Sequence, residues 1–216
     1  MSISSQILGL GGKKQVDYDN GKITNKDGSA YTGKVKGFLK NAVAGLDKLS
    51  SGGANGKGLV NDIVKSTQTV NIINGNNSFN ANDKATGMTN VVRWTPGSTG
   101  GPDASLNQNR PGFIGLGHEL AHAQDKIFDG KIDYSRWYTP TGGTSPKDDI
   151  PRAEIFSTHI ENLLRAENNI SLRAFYSICQ NAEGVTIGEG QVLTPGTRQN
   201  ANTITANGLN LVNPIY

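Results

Sequence analysis

Residues 113–128 read FIGLGHELAHAQDKIF, and the fold is decided by the five letters at their centre, His118-Glu119-Leu120-Ala121-His122. The apolar residues Phe113, Ile114, Leu116 and Leu120 predict a helix, on which side chains four apart lie one above the other. His118 and His122 can therefore present ring nitrogens to one metal ion about 2.0–2.1 Å away. Glu119 follows the first histidine and falls beside the ion's open position, where a carboxylate can take a proton from water and pass it to a leaving amine. The chain has three histidines in all, so composition would produce H-E-x-x-H by accident on the order of 1% of the time or less. Gly115, Gly117 and Ala123 are small residues, as a helix that packs closely on its neighbours requires.

Two histidines do not close a hydrolytic site, which needs a third protein ligand and a position left for water. The next helical pattern, over roughly 152–167, offers Glu154, His159 and Glu161. Its apolar residues Ile155, Phe156, Ile160, Leu163 and Leu164 make one face, and Glu154, Thr158, Glu161 and Arg165 form a polar stripe beside it. Glu154 is the first choice for the third ligand, with Glu161 and His159 as alternatives. Further on, Arg173 and Tyr176 lie three apart, and a guanidinium or phenol aimed at a developing oxyanion stabilises the transition state more than the substrate. Asp125, one turn beyond His122, is either a helix-surface carboxylate or a proton acceptor for a ligand imidazole.

Outward from the motif, Val35, Phe38, Leu39, Ala42, Val43, Leu46 and Leu49 recur at helical spacing until Ser-Ser-Gly-Gly stops them. A shorter helix is expected over 57–66. The β-branched stretch 69–73 ends in Asn74-Gly75, and 90–95 ends in Pro96-Gly97, so both read as strands. The expected architecture is α+β of zincin type: a small mixed sheet packed on the active-site helix, and a following helix that carries the third ligand. Three segments are expected: a weakly ordered arm or edge hairpin over 1–34, a metallopeptidase domain over 35–180, and a loop- or hairpin-rich extension with a loose tail over 181–216.

Composition narrows the function classes. The 216 residues are 35% hydrophobic with 28 glycines and a net charge of +3, which implies a loop-rich but folded chain. Basic and acidic residues are interspersed and the aromatics do not cluster, so nucleic acid is not the expected partner. A single cysteine, Cys179, excludes an intrachain disulfide and reads as a small buried hydrophobe. No apolar run approaches the roughly 20 residues of a membrane helix, and the first residues lack the pattern of a secretory signal. Export would then need a dedicated secretion machine or a larger carrier protein, and the chain is expected to be a monomer.

The stretches NVVRWTPG (90–97), IGLGHELAHA (114–123), AEIFSTHIENLLRAENN (153–169) and SLRAFY (171–176) together resemble the NleD-like family of bacterial effector zinc metallopeptidases, which also occurs as toxin domains of Rhs-type proteins. The resemblance implies one zinc ion on His118, His122 and Glu154, with Glu119 as general base and Glu161-Asn162 at the family's Glu-Asn pair. A thinner likeness to clostridial neurotoxin light chains implies a role at the oxyanion for Arg173 and Tyr176. The family resemblance implies a protease with a protein substrate in the cytoplasm of a target cell, and an immunity or chaperone protein is a further expected partner. Two other readings stand beside this one: an inactive metal-binding interaction protein, and a zinc hydrolase of cell-wall peptides.

Overall fold

The computed structural model describes residues 1–5, 14–206 and 209–216. In chain order the elements are β1 (Ser2–Ser5), β2 (Lys14–Asp19), β3 (Lys22–Asn25), α1 (Gly37–Gly52), α2 (Ala54–Lys65), β4 (Asn71–Asn74), β5 (Ser78–Asp83) and β6 (Met88–Trp94). There follow α3 (Gly112–Asp129), β7 (Arg136–Tyr138), β8 (Ile150–Pro151), α4 (Ala153–Glu167), β9 (Phe175–Gln180), β10 (Thr186–Gln191), β11 (Ile204–Ala206) and β12 (Leu209–Leu211). The protein is thus α+β, and its described residues form one six-stranded mixed sheet in the order β3-β2-β1-β4-β6-β5 and three two-stranded pieces.

Hydrophobic spacing accounts for the helices. Leu39, Ala42, Leu46 and Leu49 of α1, with Leu59, Val60 and Ile63 of α2, are buried in a cluster that includes Ile72, Val92 and Trp94 of the sheet and Ile114, Leu116 and Leu120 of α3. Strands β4 and β6 run parallel, with Ile72 opposite Val92, and the apolar pairs Ile72-Ile73 and Val91-Val92 are fully buried, as the centres of strands covered on both faces should be. The N-terminal stretch, expected as a weakly ordered arm or an edge hairpin, takes part in this sheet. β2 and β3 form an antiparallel hairpin at the sheet edge, Val16 and Tyr18 enter the core, and the Tyr18 hydroxyl donates to Asp47 at 2.7 Å. The part of that arm over 6–13 lies outside the described residues.

The sequence pattern did not reveal β5. Ser-Phe-Asn-Ala-Asn-Asp has no apolar run, yet its backbone pairs antiparallel with β6 and makes the other edge of the sheet. The C-terminal tail, expected to be loose, is tied down: Asn200 N–H donates to Pro214 O at 2.8 Å, Arg198 Nε to Tyr216 O at 2.6 Å, and Asn200 Nδ2 to the Tyr216 hydroxyl at 2.6 Å. Ile204 and Ala206 of β11 pack with Ala121 of α3 and with Ile155 and Phe156 of α4 in a second, smaller core. Cys179 lies on the β9–β10 hairpin and is half-buried, which corrects its reading as a core residue.

Candidate metal centre

Helix α3 is held by its first turn. The Trp94 indole at the end of β6 donates to Gly112 O at 2.9 Å, and a Cβ on Gly112 would meet Pro96 O at 1.8 Å. The junction between strand and helix therefore tolerates only glycine there. Farther along, a Cβ on Gly117 would meet Leu164 Cδ1 at 2.4 Å, so the small residue next to His118 is what lets α4 approach α3. Gly130, at φ 72°, ends the helix with its N–H on Lys126 O, the left-handed glycine stop.

That close approach brings distant residues together. Glu154 Oε2 lies 3.0 Å from His118 Nε2, and Glu154 Oε1 lies 3.3 Å from His122 Nε2. One ligand atom from each of the three residues falls within 4.8 Å of the others. Donors about 2.1 Å from a shared tetrahedral ion stand about 3.4 Å apart, so the donor set and its spacing fit a divalent metal. Burial would lower the His118 imidazole, but the hydrogen bond to Glu154 and the nearby Glu161 carboxylate push it up to about 9. Glu154 is half-buried, which favours its neutral form, but the charge of His122 and the bond to His118 hold its carboxyl well below the usual range.

The same cleft, about 180 Å³, is lined by Glu119, Tyr176 and Phe79 of the unforeseen strand β5, together with His118, His122 and Glu154. The Phe79 ring stacks on the His122 imidazole with centroids 6.4 Å apart. Burial raises Glu119 above its ordinary value, which suits a carboxyl that must take and release a proton. Burial, and after it the charge of Glu154, pushes the Tyr176 phenol far upward, so the hydroxyl keeps its proton. Trp137 and Tyr138 pack edge-on against the Tyr176 ring, with centroids 5.9 and 6.2 Å away.

Arg173 lies next to Tyr176. Its guanidinium is buried and committed: Nη1 donates to Glu161 at 2.8 Å, Nε to Phe175 O at 3.0 Å, and Nη2 to Tyr176 O. It also lies over the Tyr176 ring, 4.7 Å from the centroid. The guanidinium thus sits behind the Tyr176 ring, with its donors engaged.

The two alternative third ligands also have other partners. His159 Nδ1 pairs with the Tyr216 hydroxyl at 2.9 Å. Glu161 Oε2 lies 2.9 Å from His118 Nδ1, the ring nitrogen opposite Glu154, though out of line for a good hydrogen bond. Arg110, Arg165 and Arg173 surround Glu161 at 2.8–3.2 Å, and against the cost of burial they hold it well below the carboxylate range.

Sequence reasoning missed Arg110 and Ser157. The Ser157 hydroxyl is 2.9 Å from His122 Nε2 and donates to Ala153 O. Arg110 gives no signal in the loop before α3, because only packing brings it to Glu161. Asn162 clamps the SLRAFY segment, accepting from Arg173 N–H at 2.7 Å and donating to Arg173 O at 3.0 Å. Asp125, read from the sequence as either a helix-surface carboxylate or a partner of an imidazole, is buried, and its Oδ1 has no hydrogen-bond partner.

Among the described residues no helix is long and apolar enough to cross a membrane. The chain matches no curated protein and no solved structure. Residues 25–176, which hold α1 to α4 and His118, His122, Glu154 and Tyr176, match the family model Peptidase_M91, described as effector protein, and the chain belongs to that family of peptidase effectors.

Proposed function

We propose that the protein is a zinc-dependent endopeptidase of the zincin type, delivered into another cell to cut a protein there. The observation that carries this reading is the convergence of His118, His122 and Glu154 at one point of a cleft that Glu119 and Tyr176 also line. Two imidazoles and a carboxylate suit zinc among the abundant divalent ions, and zinc held there supplies Lewis acidity and a water of lowered pKa. Glu119 takes the proton of the attacking water and passes it to the leaving nitrogen. Tyr176 donates a hydrogen bond to the carbonyl oxygen as negative charge develops on it. Arg173 positions that phenol through its ring face and backbone, and Glu161 sets the orientation of His118 from the far side of the imidazole. In support of the zincin arrangement, α3 packs on β5 and β6 of the sheet and on α4.

Glu119→Gln keeps size and both imidazoles while removing the accepting carboxylate. Elemental analysis should find about one zinc per chain in both proteins, and hydrolysis of a proteome-derived peptide mixture should fall by about 10²–10⁴-fold in the variant. Glu154→Ala should lose the metal. Zinc retained by Glu154→Ala, or cleavage by Glu119→Gln at the wild-type rate, would overturn the assignment.

A further inference from the structure

A second cavity, of about 430 Å³, adjoins the metal cleft and shares Ile132 and Ala153 with its wall. Its lining combines apolar side chains, Ile155 and Phe156, with three carboxylates, Asp125, Asp129 and Asp133. Asp129 and Asp133 are exposed at the rim, where Asp133 faces Arg152 at 3.9 Å and Lys131 is also present. Asp125 differs from them. It is only 5% exposed, and its Oδ1 is buried with no hydrogen-bond partner. Burial, reinforced by the charges of Asp129 and Asp133, pushes its carboxyl up to about 6. A buried carboxylate oxygen without a partner is costly unless something cationic or hydrogen-bonding reaches it, and no side chain among the described residues hydrogen-bonds this one.

We propose that this cavity is a specificity subsite for a lysine or arginine side chain of the substrate, with Asp125 receiving the cationic head and Ile155 and Phe156 the aliphatic stem. The inference rests on the peptidase reading. Both sites stand on one helix: Asp125 follows His122 by three residues, a rise of about 4.5 Å, and an extended peptide advances about 3.3 Å per residue. The basic residue therefore lies within two positions of the scissile bond. Long basic side chains bury their methylenes on apolar surface and keep the charged head on a polar partner, and this lining offers both. Lys131 and Arg152 lie on exposed chain at the rim, leaving the buried carboxylate to the guest.

The test compares the zinc-loaded wild-type chain with Asp125→Asn and with Thr205→Arg, which places a competing guanidinium in the cavity from an exposed position. Each is incubated with a proteome-derived peptide mixture and the cleavage sites are read by mass spectrometry. In a second arm, N-acetyl-arginine methylamide and its citrulline counterpart are titrated by NMR into Glu119→Gln with and without Asp125→Asn. Wild type should enrich Lys and Arg at one fixed position within two residues of the cut. Both variants should lose at least tenfold of that enrichment, and the arginine probe should outbind the citrulline probe only where Asp125 is present. Cleavage with the same side-chain preference in wild type and Asp125→Asn overturns the subsite and leaves the peptidase standing. If no chain cleaves any peptide, the peptidase reading fails and the probe arm decides alone: arginine binding that needs Asp125 upholds the cation pocket, and equal or absent binding overturns it.

Discussion

Glu161 is fully buried, with three guanidinium groups and an imidazole within 3.2 Å of its carboxylate. The arginines also use carbonyl acceptors: Arg165 reaches Ser171 O and Gly101 O, and Arg173 reaches Phe175 O. Only one carboxylate is shared among the three, so it balances much of a buried positive charge. Removing one partner from such a cluster leaves uncompensated charge in a low-dielectric interior, which costs about 3–5 kcal/mol, whereas an exposed pair contributes about 0–1 kcal/mol. Glu161→Gln should therefore lower the stability measured by urea unfolding by about 3–5 kcal/mol. Lys26→Ala, which breaks the exposed pair with Asp17, should change it by less than about 1 kcal/mol. Equal midpoints for wild type and Glu161→Gln would refute the account of this cluster. The site residues legible beforehand were those whose spacing carries a mechanism, His118, Glu119 and His122. Glu161 was legible only as a candidate ligand, because its role depends on arginines at positions 110, 165 and 173.

The helices are placed by contacts with no room to spare, and glycines mark them. At Gly112 the obstacle to a Cβ is the backbone oxygen of Pro96, which cannot rotate away, while at Gly58 in α2 nothing lies within 4 Å. The same substitution should therefore act with opposite sign in the two places. Gly112→Ala forces the start of α3 away from the end of β6 and should destabilise by about 1–3 kcal/mol, with loss of peptidase activity as His118 and His122 shift relative to Glu154. Gly58→Ala gains helix propensity at no steric cost and should stabilise by up to about 1 kcal/mol. Chemical denaturation of both variants checks the pair, and a destabilised Gly58→Ala or an unaffected Gly112→Ala would contradict it. At this scale α1 through α4 were readable because amphipathic periodicity is a local property of the chain. Strand β5 was not, since an edge strand of polar residues with one phenylalanine carries no periodic signal and exists because β6 offers it a partner.

Across the whole molecule, the chain end returns to the back of α4. His159 is buried there, its Nδ1 paired with the Tyr216 hydroxyl, and burial lowers its pKa to about 4. An unfolded histidine titrates near about 6.5, so between pH 6.5 and 4 the unfolded chain binds a proton that the folded chain resists. The contribution is full above pH 6.5 and is lost as pH falls through the folded value, up to about 3 kcal/mol. His159→Gln can still hydrogen-bond Tyr216 but does not titrate, so its stability should fall less steeply than wild type from pH 6.5 to 4.5. Parallel pH profiles would rule out a buried neutral His159. The residue sequence by itself determined the periodic helices, the two apolar strands β4 and β6, and the histidine pair with its glutamate, because each depends on neighbours within a turn or two. Only the tertiary structure decided that Glu154, 36 residues from His118, reaches the same point, that Arg173 stands behind Tyr176, and that the tail is clamped. Those outcomes depend on how α3 and α4 pack and on where buried charges find partners, and short-range spacing carries no record of either.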